Sequence, residues 1–226
     1  MTKKIVLLHA TQVAMQPIAA AMAERWPDAT AIHLLDEGLS LERAKSPALT
    51  PALLDRFVRF GLYARDMGAD GILATCSAFG EALDVLAEKV SIPVLKPNEA
   101  MFAQALETGN RIAMVATFSP AIAGMEQEFY AMAAAYGRTA TLTTLCAEGA
   151  LEQLRAGNDK GHNQRVAECA SQLADYDAIV LAHFSTSRAL NDVTEVVSIP
   201  VLAAPQAAVE RMKILVQKQG GEPTCL

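Results

Sequence analysis

VSIPVL occurs twice in the chain, at residues 90–95 and again at residues 197–202, an offset of 107. Self-similarity at a fixed offset is the first thing to test for in a fold, because it decides whether one architecture or two copies of one must be built. Carried back along the chain, the same offset lays GILATCSAFG (residues 71–80) over AIVLAHFSTS (residues 178–187) without a gap. It also lays IVLLHATQ (residues 5–12) over IAMVATFS (residues 112–119). Three separate segments in one register point to duplication.

Each repeat opens with a short apolar run (KIVLLH; RIAMVA), then a turn and a helix-like stretch (residues 16–25; residues 120–135). Pro120 after Ser119 suits a helix start, since proline at the first helical position gives up no needed hydrogen bond. A second strand (ATAIHLL; TATLTTL), a long helix (residues 51–67; residues 158–174), the apolar strands GILAT and AIVLA, a further helix and the SIPVL strands complete each half. Near-continuous apolar strands alternating with helices imply parallel sheets covered on both faces. The expected fold is α/β, with two pseudo-symmetric Rossmann-like lobes related by internal duplication and an active site in the cleft between them. Their expected extents are residues 1–97 with 205–226, and residues 98–204.

Composition narrows the partners. A 226-residue chain that is 52% hydrophobic buries a sizeable core. Its net charge of −6, with no basic run, offers nothing to nucleic acid or an anionic membrane. The four cysteines, Cys76, Cys146, Cys169 and Cys225, lie far apart without metal-type spacing, which suits reduced thiols in the cytoplasm. IVLL near the N-terminus is too short for a signal segment, and no stretch reaches the ~18 apolar residues of a membrane span. Nucleotide, phosphate-loop, serine-hydrolase and zinc-protease signatures are absent, so no cofactor and no metal is expected. The helical stretch at residues 46–67 carries more apolar positions than one buried stripe needs, pointing to a homodimer.

Ligands in open α/β sheets bind beyond the carboxyl ends of the strands. There the sequence places His9, Thr11, Thr75, Cys76 and Ser77 in the first half and Thr117, Ser119, His183 and Ser185 in the second. The offset makes Cys76 and His183 equivalent. A helix beginning near Ser77 and Ala78 would lower the Cys76 thiol pKa and favour thiolate, and the same dipole would keep His183 neutral. The hydroxyls of Thr11, Thr75, Ser77, Thr117, Ser119 and Ser185 beside turn N–H groups suit a carboxylate, although each could equally cap a helix. His9 is a candidate for substrate contact or a strand-end hydrogen bond. Lys96 is a rim cation or a solvated loop residue, and Glu99 opens a helix. Phe79, Phe118 and Phe184 either narrow the pocket or pack beneath it.

These residues resemble the aspartate/glutamate racemase superfamily, which includes hydantoin racemases, maleate isomerases and arylmalonate decarboxylases. The resemblance rests on the duplicated halves, ILATCSAFG, IAMVATFSP and IPVL followed by PNEAM. It implies acid/base residues on opposite sides of a carboxylate-bearing carbon and no cofactor. Cys76 matches the first catalytic cysteine, while Ser77, Thr117 and Ser119 match carboxylate-holding positions. It further implies that the helix at residues 205–218 returns to the N-terminal lobe. The chain departs from the pattern at His183, where the racemases carry a second cysteine.

The resulting expectation is a cofactor-independent racemase or isomerase that moves a proton at the carbon next to a carboxylate of a small amino acid or related acid, with Cys76 paired to His183. Two alternatives stand beside it: a decarboxylase or lyase using one thiol, and a non-catalytic carboxylate sensor.

Overall fold

The structure is a computed structural model that describes residues 2–46 and 48–219; Cys225 lies outside them. Two compact units divide the chain. One takes in the described residues up to Pro97 together with those from Pro205 onward, and the other is Asn98–Ala204.

In the first unit the chain runs β1 (Lys4–His9), α1 (Met15–Arg25), β2 (Thr30–Leu35), α2 (Glu37–Arg43), α3 (Pro51–Asp66), β3 (Gly71–Ala74), α4 (Gly80–Lys89) and β4 (Val94–Leu95). The strands form one parallel sheet in the order β2-β1-β3-β4. Ile5, Leu7, Leu8, Ile72 and Leu73 are fully buried. Burying each such side chain stabilises the fold by roughly 1.5–3 kcal/mol, so the continuous apolar runs settle the two central strands. Thr50 starts α3 by accepting the Leu53 N–H, with Pro51 at the first helical position. Phe57 of α3 stacks on Phe79 at 4.6 Å between ring centres, tying α3 to the chain that follows β3.

The second unit repeats the plan with α5 (Glu99–Thr108), β5 (Arg111–Ala116), α6 (Ile122–Ala135), β6 (Thr141–Cys146), α7 (Ala150–Arg155), α8 (Asp159–Ala170), β7 (Ala178–Leu181), α9 (Leu190–Val196) and β8 (Val201–Ala203). Its sheet has the corresponding order, β6-β5-β7-β8, also parallel. The repeat extends to single hydrogen bonds. Asp70 accepts the Lys4 N–H at 2.8 Å, and its mate Asp177 accepts the Asn110 and Arg111 N–H groups at 2.8 Å each. Ile72 N donates to Pro93 O and Ile179 N to Pro200 O, both at 2.8 Å.

The SIPVL strands are shorter than the sequence predicts: β4 keeps only Val94 and Leu95. Pro93 and Pro200 have no N–H to donate, so each offers the ladder a carbonyl and pairing starts after it.

The last helix, α10 (Ala204–Gln219), returns to the first unit. A Cβ on Gly71 of β3 would stand 2.7 Å from Met212 Sδ and 3.1 Å from Val216 Cγ2, so the absence of a side chain there lets α10 close on the sheet. Gln219 donates to Ser91 O, and Arg25 pairs with Glu210 at 3.0 Å. Among the described residues no helix is long and apolar enough to cross a membrane.

Candidate active site

In the first sheet the chain passes from β1 outward to β2, then returns to place β3 on the other side of β1. The carboxyl ends of β1 and β3 therefore flank the point where strand order reverses, the usual ligand position in such sheets. His9 ends β1, Thr11 precedes a 3-10 turn at Gln12–Ala14, and Thr75 and Cys76 follow β3. The second sheet reverses between β5 and β7, with Thr117 after β5 and His183 after β7.

Cys76 leads into a three-residue 3-10 turn, Ser77–Phe79, and α4 begins only at Gly80. The sequence predicts a thiol made acidic by a helix start; the structure reverses that. Cys76 is half-buried, and burial pushes the thiol up to about 11. The Ala78 N–H and the positive charge of Arg43 pull the other way and are outweighed. A single turn N–H and one neighbouring cation do not offset the desolvation of the thiolate. Cys76 is a protonated thiol at neutral pH.

Arg43 is a component that sequence reasoning missed. It is buried at the end of α2, where its Nε donates to Ala78 O at 3.3 Å and Nη1 to Ser46 O at 2.6 Å. It braces the turn that carries Cys76. Nothing in LERAKSP marks this arginine as inward-facing, because its contact is with a residue 35 positions away.

His183 stands at the position equivalent to Cys76 but on a different backbone. Its φ of 72° and ψ of 138° contrast with −120° and 115° at Cys76. Among the described residues it is the one non-glycine with positive φ. Such conformations cost about 1–3 kcal/mol and concentrate at functional positions. Burial lowers its ring pKa to about 4, so the imidazole is neutral as the sequence predicts, but through desolvation rather than a helix dipole.

The remaining candidates fall into three groups. His9 is fully buried, with Nδ1 2.9 Å from Thr75 Oγ1 and Nε2 2.9 Å from His33 Nδ1; Thr75 donates onward to Leu8 O at 3.2 Å. Both ring nitrogens of His9 thus bond within the first unit. Thr117 and Thr186, both buried, lie with their hydroxyl oxygens 3.3 Å apart across the β5 and β7 ends. Ser77 and Ser185 are buried, Thr11 is half-buried and Ser119 is exposed at the start of its 3-10 turn. Thr11 precedes its turn without a side-chain cap bond, so the capping alternative does not account for its hydroxyl.

Phe79 and Phe184 are fully buried, and Phe118 is half-buried. Lys96 is ion-paired with Asp84 at 2.7 Å. Among the described residues no three His, Cys, Asp or Glu side chains gather to hold a metal.

The family model described as Asp/Glu/hydantoin racemase matches residues 5–175. The chain belongs to that family. The match takes in Cys76 and Arg43 and stops before β7 and His183. No curated protein matches the sequence. Among solved structures, a glutamate racemase from Francisella tularensis in complex with D-glutamate is similar with a TM-score of 0.79 at 14% identity, over 97% of this chain and 82% of that one. An aspartate racemase from Picrophilus torridus gives 0.74 at 11%, over 98% and 95%. An allantoin racemase from Klebsiella pneumoniae gives 0.70 at 20%, over 96% and 89%. At these identities the likeness is one of fold, and the racemase family supplies the enzyme class.

Proposed function

We propose that this family member is a cofactor-independent racemase or isomerase of a small amino acid or related acid, in which His183 removes a proton from the carbon beside a carboxylate and Cys76 returns one to the opposite face. The observation that carries this reading is the pair of protonation states at matched positions of the repeat. Cys76 holds its proton and His183 lacks one, which is how a donor and an acceptor must stand before such a step; afterwards the thiolate and imidazolium are reset by exchange with solvent, or by acting in reverse on the opposite enantiomer. As the proton leaves, negative charge develops on the carboxylate side of the carbon. Preorganised donors must meet it, and the hydroxyls of Ser77, Thr117 and Ser119 together with the Arg43 charge are the groups assigned to that task. Family membership supports the reaction class, and the solved relatives named as glutamate, aspartate and allantoin racemases supply the substrates to try first.

The test is exchange of the α-hydrogen in D2O, followed by proton NMR for each enantiomer of glutamate, aspartate and allantoin. The wild-type protein should place deuterium in both enantiomers of its substrate. Cys76→Ala and His183→Ala should each lower interconversion by at least about a hundredfold, the usual contribution of a positioned acid or base. Full exchange by Cys76→Ala would sink the assignment. The replacement of a second thiol by His183 favours one further reading, a one-sided decarboxylase or lyase; there His183→Ala would still label a single configuration. Binding without exchange in any variant would remove the catalytic reading altogether.

A further inference from the structure

Three polar side chains form a row across the carboxyl end of the first sheet. In its register Leu7 pairs with His33, His9 with Leu35, and Leu8 with Ala74. Side chains two apart on a strand share a face, so His33 of the edge strand β2, His9 of β1 and Thr75 after β3 all stand on one side of the sheet. The His9 and His33 rings stack at 5.0 Å and 12°, linked Nε2 to Nδ1.

The second unit builds the same strand end without this row. Thr75 N donates to Leu8 O at 3.0 Å, and its mate Ala182 N donates to Val115 O at 3.0 Å. At the positions equivalent to His9 and Thr75 stand Ala116 and Ala182. The position matching His33 is Thr144, which pairs with Met114 and turns its hydroxyl to Glu126 at 2.6 Å. The backbone of this strand end therefore forms without a polar row, and the row in the first unit must be explained by something other than closing the sheet.

Proton placement within the row follows from one hydrogen bond. The Thr75 hydroxyl hydrogen points to Leu8 O, so Thr75 Oγ1 accepts from His9 Nδ1–H. His9 Nε2 then carries no hydrogen and accepts from His33 Nδ1–H. Both rings are neutral in this arrangement, and both tautomers are set by the neighbour rather than by the ring.

We propose that His33 and His9 are positioning residues for Cys76: by hydrogen-bonding the Thr75 side chain they fix the orientation of the residue that leads directly into Cys76, and so hold the thiol in place. This inference rests on reading Cys76 as the working thiol, and the row it invokes has alanine at the His9 and Thr75 positions of the second unit.

Two measurements on the full chain test it. Long-range 15N–1H correlation of the wild-type protein at pH 7 should find both His9 and His33 protonated at Nδ1; a His9 proton at Nε2 would overturn the row. Alkylation of Cys76 by iodoacetamide, resolved by peptide mass spectrometry, should run about 2- to 10-fold faster in His33→Ala, the range that loss of one neutral hydrogen bond commands. His33→Asn, which keeps an N–H donor near the Nδ1 place, should return the rate to the wild-type value. An unchanged rate in His33→Ala, or a His33→Asn rate equal to that of His33→Ala, would overturn the positioning role. The tautomer measurement needs no variant, so it decides even if His33→Ala does not fold. Neither readout involves turnover, so absent substrate exchange would count against the proposed reaction and leave this result separate.

Discussion

Cys76 and His183 occupy one position of the repeat and meet it with opposite chemistry. Burial drives both toward their uncharged forms, which leaves a proton on sulfur and none on the imidazole nitrogen that would accept it. Arg43 is the charge that works against burial at Cys76. Replacing it with methionine keeps most of the volume and removes the charge. Alkylation of Cys76 by iodoacetamide should therefore keep rising with pH until it levels off near about 11 in the wild-type protein, and level off at still higher pH in Arg43→Met. A Cys76 rate that saturates below pH 9 would show that burial does not win at this thiol, and an Arg43→Met profile lying on that of the wild type would remove the electrostatic role. None of this could be read from the sequence. A thiol's acidity depends on how tightly its neighbours exclude water, and those neighbours come from α2 and the β3 turn together.

Elements were far more legible than side-chain environments. The repeat at residues 90 and 197 predicts strands around Ile5, Ile72, Ile112 and Ile179, and all four lie in the central strands β1, β3, β5 and β7. The same register puts Asp70 and Asp177 on the amide N–H groups at the starts of their sheets. The His33–His9–Thr75 row was not legible, because it depends on which residues of β2 and β1 stand side by side, and strand register is set by packing. Close helix packing was likewise hidden in a single glycine. A Cβ at Gly61 of α3 would run into Leu86 Cδ2 and stand 2.8 Å from Cδ1 and 3.0 Å from Cγ, and Leu86 is fully buried in α4 with little room to yield. Gly61→Ala gains helix propensity of just under 1 kcal/mol, but overpacking a core costs about 1–3 kcal/mol. The variant should be less stable by about 1 kcal/mol in urea unfolding, and a rise in stability would show that α4 shifts freely.

For the whole molecule, neutral buried histidines carry a pH signature. His9 and His183 have ring pKa values lowered from 6.5 to about 4. The causes are burial, and for His9 also the neighbouring His33. The unfolded chain binds protons at these rings below pH 6.5, while the folded chain refuses them until about pH 4. Stability is therefore full above pH 6.5 and lost as pH falls through that window. A tenfold change in proton affinity corresponds to about 1.4 kcal/mol. Unfolding free energy should drop by at least about 2 kcal/mol between pH 7 and pH 4, and a flat profile by urea titration would mean that the rings are not held neutral.

The path of α10 has a consequence for synthesis. Domains usually fold as units in the order in which they leave the ribosome. Here β3 of the first unit needs Met212 and Val216 against Gly71, and those residues emerge after the whole of Asn98–Ala204. The half of the gene read first is therefore the half completed last. Until α10 arrives, the nascent first sheet leaves an apolar flank open to chaperones, while the second unit already has every strand it requires.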